Sequence, residues 1–238
     1  MISTLAQVSQ QLCHFLTEQT NRTIMKKIAV YGAGGLGRET ACLIDRVNSV
    51  EPQWEIIGYF DDGVPYGTQV DHHGCVLGNM QTLNSYPDEL DVAIAIGSPK
   101  TVKLLVEKIT NPKIGFPNII CPTFDIVDPQ TFTIGKGNVI KNLCRVSCNV
   151  KLGDFNMLNG MVVFGHDAEV GSYNSFMPNV RISGETKIGD ANFFGIASIV
   201  LQGVKVGNDV RLGAASVLMK KTQDGYLYMG NPAKKTEL

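Results

Sequence analysis

The sequence predicts two domains, a Rossmann-like α/β domain followed by an all-β parallel β-helix. Three observations support this fold class: a six-residue apolar repeat, a glycine that returns every 18 residues, and a strand, glycine turn and helix pattern ahead of the repeat. The length of 238 residues suits one large or two modest domains and is ample to bury a core.

The repeat occupies the second half of the chain, where every sixth residue from Ile134 to Leu218 is apolar. With 44% apolar residues overall, chance would give fifteen such positions in phase only about once in 10^5 to 10^6 trials. A period of six fits neither an α-helix nor an ordinary strand, and it is typical of a parallel β-helix whose short strands turn corners. Small or β-branched residues follow most of these positions by four and are expected to face inward.

A second period groups the hexads into coils. The glycines of this period are Gly135, Gly153, Gly171, Gly189 and Gly207. Three hexads therefore make one coil, and we expect a prism with three sides and about five coils. Glycine adopts unusual backbone conformations at the lowest cost in free energy, so we expect these residues to adopt such conformations at one corner of each coil.

The first element of the α/β domain lies in residues 26–47, which read as a strand, a glycine turn and a helix. Gly32, Gly34 and Gly37 have the spacing GxGxxG. Between a strand and a helix, free backbone N–H groups and the helix dipole can meet a phosphate, which favours nucleotide binding. The alternative is a tight turn that needs glycine for packing alone.

Two further strands are expected at residues 55–60 and 91–97, and a helix at residues 99–109. Asp61 and Asp62 follow the first of these strands, where a ribose-binding acid belongs. Strands that alternate with helices predict a small parallel sheet. Only roughly 95 residues are available before the repeat, about half of a dinucleotide fold, so a mononucleotide or its sugar conjugate is favoured over NAD and a dehydrogenase is disfavoured.

These patterns divide the chain into four segments. Residues 1–24 are an N-terminal extension with apolar residues at the spacing of a short amphipathic helix. Residues 25–110 are the Rossmann-like domain, residues 111–133 are a proline-containing connector that already resembles one irregular starting coil, and residues 134–238 are the β-helix with a C-terminal tail. Whether the natural start is Met1 or Met25 stays open.

Composition excludes several classes of function. A net charge of -1 does not suggest an electrostatic binder of nucleic acid. The sequence has no apolar run long enough to span a membrane and no secretion signal, so a cytoplasmic protein is expected. The six cysteines include no CxxC pair and are expected to be reduced. His72 and His73 are expected in a loop, and no metal site is predicted there or elsewhere.

His166 is the only histidine within the repeat, and it lies beside Asp167. An outward or corner position next to a carboxylate would support a base that works near neutral pH. The alternative is a surface histidine without a role.

Five segments, YGAGGLGRE, YFDD, AIG, VVFGHDAEVG and MGNPAKK, together resemble the bacterial sugar O-/N-acyltransferases of the left-handed β-helix superfamily. This family includes sialic acid O-acetyltransferases and N-acetyltransferases of nucleotide-linked amino sugars. The resemblance covers residues 26–235. It implies a left-handed β-helix, a homotrimer, acetyl-CoA bound between neighbouring subunits, and no metal.

The same resemblance implies site residues. His166 would be the general base and Asp167, where family members often have Glu, would raise its basicity. Contacts to acetyl-CoA would come from Gly184, which lies one coil above His166 and also serves the oxyanion, and from Ile196, Ala214 and Lys234. The nucleotide sugar would be bound by Gly34, Gly35, Leu36, Asp61, Asp62, Gly97, Lys100 and Asn159. A second histidine of some family members corresponds to Ser175.

The implied activity is acetyl-CoA-dependent N-acetylation of a nucleotide-linked amino sugar for surface glycan or polysaccharide synthesis. Transfer would be direct, in a ternary complex, without a covalent intermediate. O-acetylation of sialic acid or of another sugar is the alternative within the enzyme class. Outside that class, the chain would be a scaffold that binds a nucleotide sugar without transferring anything.

Overall fold

The structure is a computed structural model that describes residues 25–236. The helix predicted within residues 1–24, and the choice between Met1 and Met25, lie outside the described residues. The described chain forms an α/β unit followed by a parallel β-helix, as predicted. No helix in this range combines the length and the apolar character that crossing a membrane would require.

The α/β unit is built on one mixed sheet. Its elements are β1 (Lys26–Tyr31), α1 (Gly35–Asn48), β2 (Trp54–Phe60), β3 (Gln69–Asp71), β4 (Gly74–Gly78), α2 (Met80–Asn84), β5 (Leu90–Ile94), α3 (Pro99–Lys108) and β6 (Ile114–Gly115). The strand order is β3-β4-β2-β1-β5-β6, and only β3 runs antiparallel to its neighbour. The three predicted strands form the centre of this sheet, while β6 and the β3–β4 hairpin extend it at its two edges.

Strand β1 shows why this sheet is buried on both faces. Ile28 and Val30 belong to an apolar cluster with Ile44 of α1, whereas Ala29 and Tyr31 belong to a second cluster with the residues of α3. Side chains alternate between the faces of a strand, so an uninterrupted apolar run is what a parallel sheet covered on both sides requires.

The β-helix consists of short strands that form three parallel sheets. The strands are β7 (Ile119–Ile120), β8 (Asp125–Ile126), β9 (Thr133–Ile134), β10 (Val139–Ile140), β11 (Arg145–Val146), β12 (Lys151–Leu152), β13 (Met157–Leu158), β14 (Val163–Phe164), β15 (Glu169–Val170), β16 (Ser175–Phe176), β17 (Arg181–Ile182), β18 (Lys187–Ile188), β19 (Phe193–Phe194), β20 (Ile199–Val200), β21 (Lys205–Val206), β22 (Arg211–Leu212), β23 (Val217–Leu218), β24 (Leu227–Gly230) and β25 (Ala233–Thr236). Sheet 1 contains every third strand from β7 to β22 and then β24, and β25 closes it as an antiparallel edge. Sheet 2 runs from β8 to β23 and sheet 3 from β9 to β21.

The pairing register confirms the 18-residue coil. Val163 of β14, for example, pairs with Arg181 of β17. Five coils have all three strands, and β22 and β23 begin a sixth. The apolar positions of the hexads point inward, where Phe164, Phe176 and Phe194 pack ring against ring.

The glycines of the 18-residue period have a different role from the predicted one. They do not occur among the described residues with positive φ. A Cβ on Gly153 would instead lie 2.6 Å from the carbonyl oxygen of Gly171 in the next coil, so close stacking of the backbone excludes a side chain there. Every sixth residue from Gly137 to Ala215 has the positive φ, whether or not it is glycine.

A buried ladder of asparagines runs along a corner of the prism. Asn138, Asn156, Asn174 and Asn192 are spaced by 18 residues, and each is at most 1% exposed. In each pair of successive coils the later Asn donates from Nδ2 to Oδ1 of the earlier one, at 3.0–3.1 Å, and its backbone N–H donates to the same oxygen. Buried polar groups are thus satisfied within the ladder.

Residues 111–133, predicted to be a connector, contain regular strands. Within residues 111–133, β6 joins the α/β sheet, and β7 and β8 start the first coil, so FPNIICPTFDIVDP is a coil of the β-helix. The change from one unit to the next therefore occurs between β6 and β7. Regular hexads are lacking here because this coil meets the α/β unit and has no preceding coil to match.

Sheet 1 packs directly against the α/β unit. Ile119, Val139 and Met157 share an apolar cluster with β1 and α1. Lys141 of the β-helix forms an ion pair with Glu39 of α1, and the Ser175 hydroxyl donates to the Gly97 carbonyl at 3.2 Å. The glycine loop is thereby held in a defined position beside the β-helix.

Candidate active site

His166 and Asp167 lie at the corner between β14 and β15 and contact each other. His166 Nδ1 is 2.7 Å from Asp167 Oδ2, and both side chains are about half exposed. Asp167 is one of the corner residues with positive φ, at 60°. In this corner the short Asp side chain reaches the imidazole of its neighbour, so a Glu is not required for the contact.

Asn149, one coil earlier, fixes the other oxygen of the carboxylate. Its Nδ2 donates to Asp167 Oδ1 at 2.7 Å. The hydrogen bonds from Asn149 and His166 lower the pKa of Asp167 below its ordinary value. An ionised Asp167 accepts the Nδ1–H of His166, which leaves Nε2 with the free lone pair that a base needs. Asn149 was not predicted as a site residue, although it precedes Asp167 by 18 residues, the length of one coil.

Gly184 lies against the face of the His166 ring, one coil later. A Cβ at this position would be 2.7 Å from His166 Nε2 and 2.8 Å from Cε1. The Gly184 N–H donates to no group within residues 25–236. A backbone donor without a partner next to the imidazole is what stabilisation of an oxyanion would require.

The remaining residues predicted for acetyl-CoA lie elsewhere on the prism. Ile196 and Ala214 stack at the corners that follow sheet 1, whereas His166 and Gly184 stack at the corners that follow sheet 2. Ile196 is 51% exposed. Lys234 lies in β25, opposite Met229 of β24. A single chain therefore presents these two sets of residues on different corners.

The glycine loop between β1 and α1 contains two glycines that packing requires and one that packing does not require. Gly32 has φ +115°, and a Cβ there would be 2.6 Å from the Ala95 carbonyl oxygen; a Cβ on Gly37 would overlap the Gly32 carbonyl. Gly34 is different, because a Cβ there would meet nothing within 4 Å. Packing explains the first two glycines, while the open space at Gly34 is available for the close approach of a ligand.

Asp61 and Asp62 follow β2 as predicted, but backbone N–H groups donate hydrogen bonds to some of their carboxylate oxygens. Asp61 Oδ2 accepts the Ala33 N–H, and Oδ1 accepts the Gly63 N–H, both at 2.8 Å. Asp62 Oδ1 accepts the Met80 N–H at 2.8 Å. Asp61 therefore holds the glycine loop, and both Asp61 and Asp62 line an adjoining cavity of about 450 Å³.

Two other cavities contain further predicted substrate residues. One, of about 660 Å³, lies between α1 and the β-helix and is lined by Gly35, Asn159 and several cationic side chains. The other, of about 600 Å³, includes Gly97 and Lys100, and the Leu36 side chain lies 4.0 Å from where a Gly97 Cβ would be. His166 lines none of these three cavities.

Comparison with known proteins begins with the α/β unit. Residues 27–109 match the family model described as the PglD N-terminal domain. A search of curated protein sequences finds no match.

Solved structures are similar over most of the chain. The acetyltransferase domain of PglB from Neisseria gonorrhoeae is 27% identical with a TM-score of 0.80, over 89% of this chain and 100% of that one. WeeI from Acinetobacter baumannii is 25% identical with a TM-score of 0.79, over 89% and 100% of the two chains. PerB from Caulobacter crescentus, solved with CoA and GDP-perosamine, has the same fold at 22% identity, with a TM-score of 0.78 over 90% and 99%.

The PglB acetyltransferase domain is matched over its whole length by the α/β unit and the parallel β-helix of this chain together. The chain is an acyltransferase that combines a PglD-type N-terminal domain with the fold of the PglB acetyltransferase domain.

Proposed function

We propose that the protein transfers the acetyl group of acetyl-CoA to the amino group of a nucleotide-linked sugar, with His166 as the general base. The observation that carries this proposal is the arrangement of Asn149, Asp167, His166 and Gly184 in three successive coils. It supplies an oriented imidazole and an unpartnered backbone N–H within one small region of the surface.

The chemistry follows from this arrangement. The sugar amine attacks the thioester carbonyl carbon while His166 Nε2 accepts the proton that the nitrogen loses. The Gly184 N–H stabilises the negative charge on the carbonyl oxygen. As the C–N bond forms, the C–S bond breaks, and the departing thiolate takes up a proton to give CoA. The ionised Asp167 keeps the imidazolium oriented between these two events.

The acyl donor is acetyl-CoA, in keeping with the complex of the PglB domain with acetyl-CoA and of PerB with CoA. We propose that Ile196, Ala214 and Lys234 bind it in a homotrimer. In one chain Ile196 and Ala214 lie on another corner than His166, and Lys234 lies in β25, so we propose that a neighbouring prism brings the two sets together. The exposed apolar side chain of Ile196 fits such an interface.

The α/β unit is proposed to bind the nucleotide part of the acceptor. Three features support this: the open space at Gly34, the position of Asp62 in a cavity after β2, and the position of Gly97 and Lys100 in a cavity at the start of α3. PerB, whose fold is the same, was solved with GDP-perosamine. Asn159 and Gly35 line the cavity between the units and are placed to contact the sugar.

A CoA-release assay over a panel of acceptors tests this proposal. The panel pairs UDP-, dTDP- and GDP-linked amino sugars with the same sugars lacking the nucleotide, and it includes free sialic acid. We expect turnover with at least one nucleotide-linked amino sugar and none with its free counterpart. Turnover only with a free sugar hydroxyl would replace N-acetylation by O-acetylation. Binding of a nucleotide sugar without any CoA release would indicate a scaffold.

A further inference from the structure

A cluster of three metal-ligating side chains lies outside the candidate active site. Asp45 is in the last turn of α1, and His72 and His73 form the turn between β3 and β4. One potential ligand atom from each residue lies within 4.8 Å of the others. The sequence alone could not reveal this cluster, because Asp45 is far from the two histidines along the chain.

His73 is oriented in the manner of a metal ligand. Its Nδ1 is 3.1 Å from Asp71 Oδ2, and its Nε2 is 2.7 Å from Asp45 Oδ2. Asp71 is itself fixed, since both of its oxygens lie 2.9 Å from the Tyr59 hydroxyl. A carboxylate that accepts the Nδ1–H leaves Nε2, the nitrogen that faces Asp45, as the one that would bind a metal, and this support is typical of histidines that bind zinc.

His72 supplies the second imidazole. Its ring lies 3.9 Å from that of His73, with 37° between the ring planes. Within residues 25–236 the nitrogens of the His72 ring form no hydrogen bond with the protein. An ion pair between Asp45 and His73 would not need His72, whereas a metal site with two nitrogen ligands would.

We propose that Asp45, His72 and His73 form a binding site for a divalent transition metal of the zinc class, supported by Asp71. Two neutral imidazoles and one carboxylate suit Zn²⁺ and its neighbours in the first transition row. The charges of Asp45 and Asp71 balance that of the metal. Water would complete the coordination, because Asp45 is half exposed.

The bound metal would fasten the β3–β4 hairpin to α1. Both elements adjoin the region proposed for the nucleotide: α1 starts directly after the glycine loop, and the carbonyl of Gly78, at the end of β4, accepts the Asp61 N–H at 3.0 Å. The metal thus stabilises the α/β unit and takes no part in acetyl transfer. This proposal does not depend on the proposed function.

Titration of the full-length chain, freed of metal with a chelator, tests the site. Zn²⁺ binding is followed by calorimetry, Co²⁺ binding by visible absorption, and the melting temperature is measured with and without Zn²⁺. The variants are His72→Ala, Asp45→Asn and Asp71→Asn. His166→Asn is the matched control, because it removes a histidine that lies outside the cluster.

We expect the wild type and His166→Asn to bind one more equivalent of Zn²⁺ than His72→Ala and Asp45→Asn. Zn²⁺ should raise the melting temperature of the wild type and His166→Asn, and it should leave that of His72→Ala and Asp45→Asn unchanged. Asp71→Asn should weaken binding by about 10- to 100-fold. The Co²⁺ spectrum should show no band from a thiolate ligand. Equal metal uptake by all the proteins, no saturable binding, or loss of binding in His166→Asn would overturn the proposal and leave an Asp45–His73 ion pair only.

Discussion

Asn149 and Asp167 are one coil apart and joined by a hydrogen bond of 2.7 Å between Nδ2 and Oδ1. The second oxygen of Asp167 is 2.7 Å from His166 Nδ1, so the carboxylate connects the asparagine to the imidazole. The coil repeat places all three groups, because residues 18 apart stack. A change at Asn149 should therefore act on the reaction through His166.

Replacement of Asn149 tests this connection. Both Asn149→Gly and Asn149→Ala remove the hydrogen bond that lowers the pKa of Asp167. A lowered pKa keeps the carboxylate ionised as the pH falls, so its loss should move the acidic limb of kcat/KM to higher pH. We expect kcat to fall by about three- to tenfold, a modest effect because the pair is exposed.

The two variants also control for the backbone. Asn149 has φ +55°, which glycine tolerates better than alanine. If the hydrogen bond matters, both variants should lose similar activity, although Asn149→Ala should be the less stable. An unchanged pH profile of kcat/KM in Asn149→Gly would show that Asn149 does not influence the reaction.

Gly184→Ala should displace the His166 ring. The added methyl group would lie 2.7 Å from Nε2, too close for the imidazole to keep its position. We expect kcat to fall by about 10²-fold, because a displaced imidazole would lose most of its contribution to proton transfer. Because the close contacts are with a side chain that can turn away, the melting temperature should change little. Retention of more than a third of the activity would show that the ring position is not critical.

Gly34 and Gly37 form a matched pair in the glycine loop. Gly34→Ala adds a Cβ in open space, so it should leave the free energy of unfolding unchanged. It should raise KM for the nucleotide sugar by about tenfold, because the methyl group would keep the ligand from approaching the backbone closely. Gly37→Ala places its Cβ against the Gly32 carbonyl and should cost about 2 kcal/mol or more of stability. Chemical unfolding and KM measurements on both variants check this. An equal KM for Gly34→Ala and the wild type would indicate that the glycine loop has only a structural role.

The asparagine ladder should dominate the stability of the corner it follows. Asn156 is 1% exposed, accepts from the Asn174 backbone and side chain, and donates to Asn138 and Gly171. Asn156→Ala would leave several buried groups without partners, and we expect the free energy of unfolding to fall by about 2–4 kcal/mol. Urea unfolding measures the change. A loss below about 0.5 kcal/mol, the size usual for surface positions, would contradict this account of the ladder.

The hexad and coil periods predicted the β-helix because its contacts repeat at fixed spacing. The asparagine ladder and Asn149 could have been predicted in the same way, since both follow the 18-residue period. The predicted role of Gly153 and its equivalents was wrong, because a sequence does not distinguish a glycine needed for positive φ from one needed for close stacking. The irregular hexads of the first coil indicated a starting coil within residues 111–133 but not its strands. The Asp45 cluster depends on how α1 packs beside β3 and β4, which no local pattern reveals.

His166→Asn tests the central claim most directly. Its kcat for acetyl transfer should fall by about 10²- to 10⁴-fold, the usual contribution of a general base. The Kd for acetyl-CoA and the melting temperature should stay close to those of the wild type, since the His166 side chain is half exposed and packs on the surface of the coil. Activity within about tenfold of the wild type would contradict the assignment of His166 as the base.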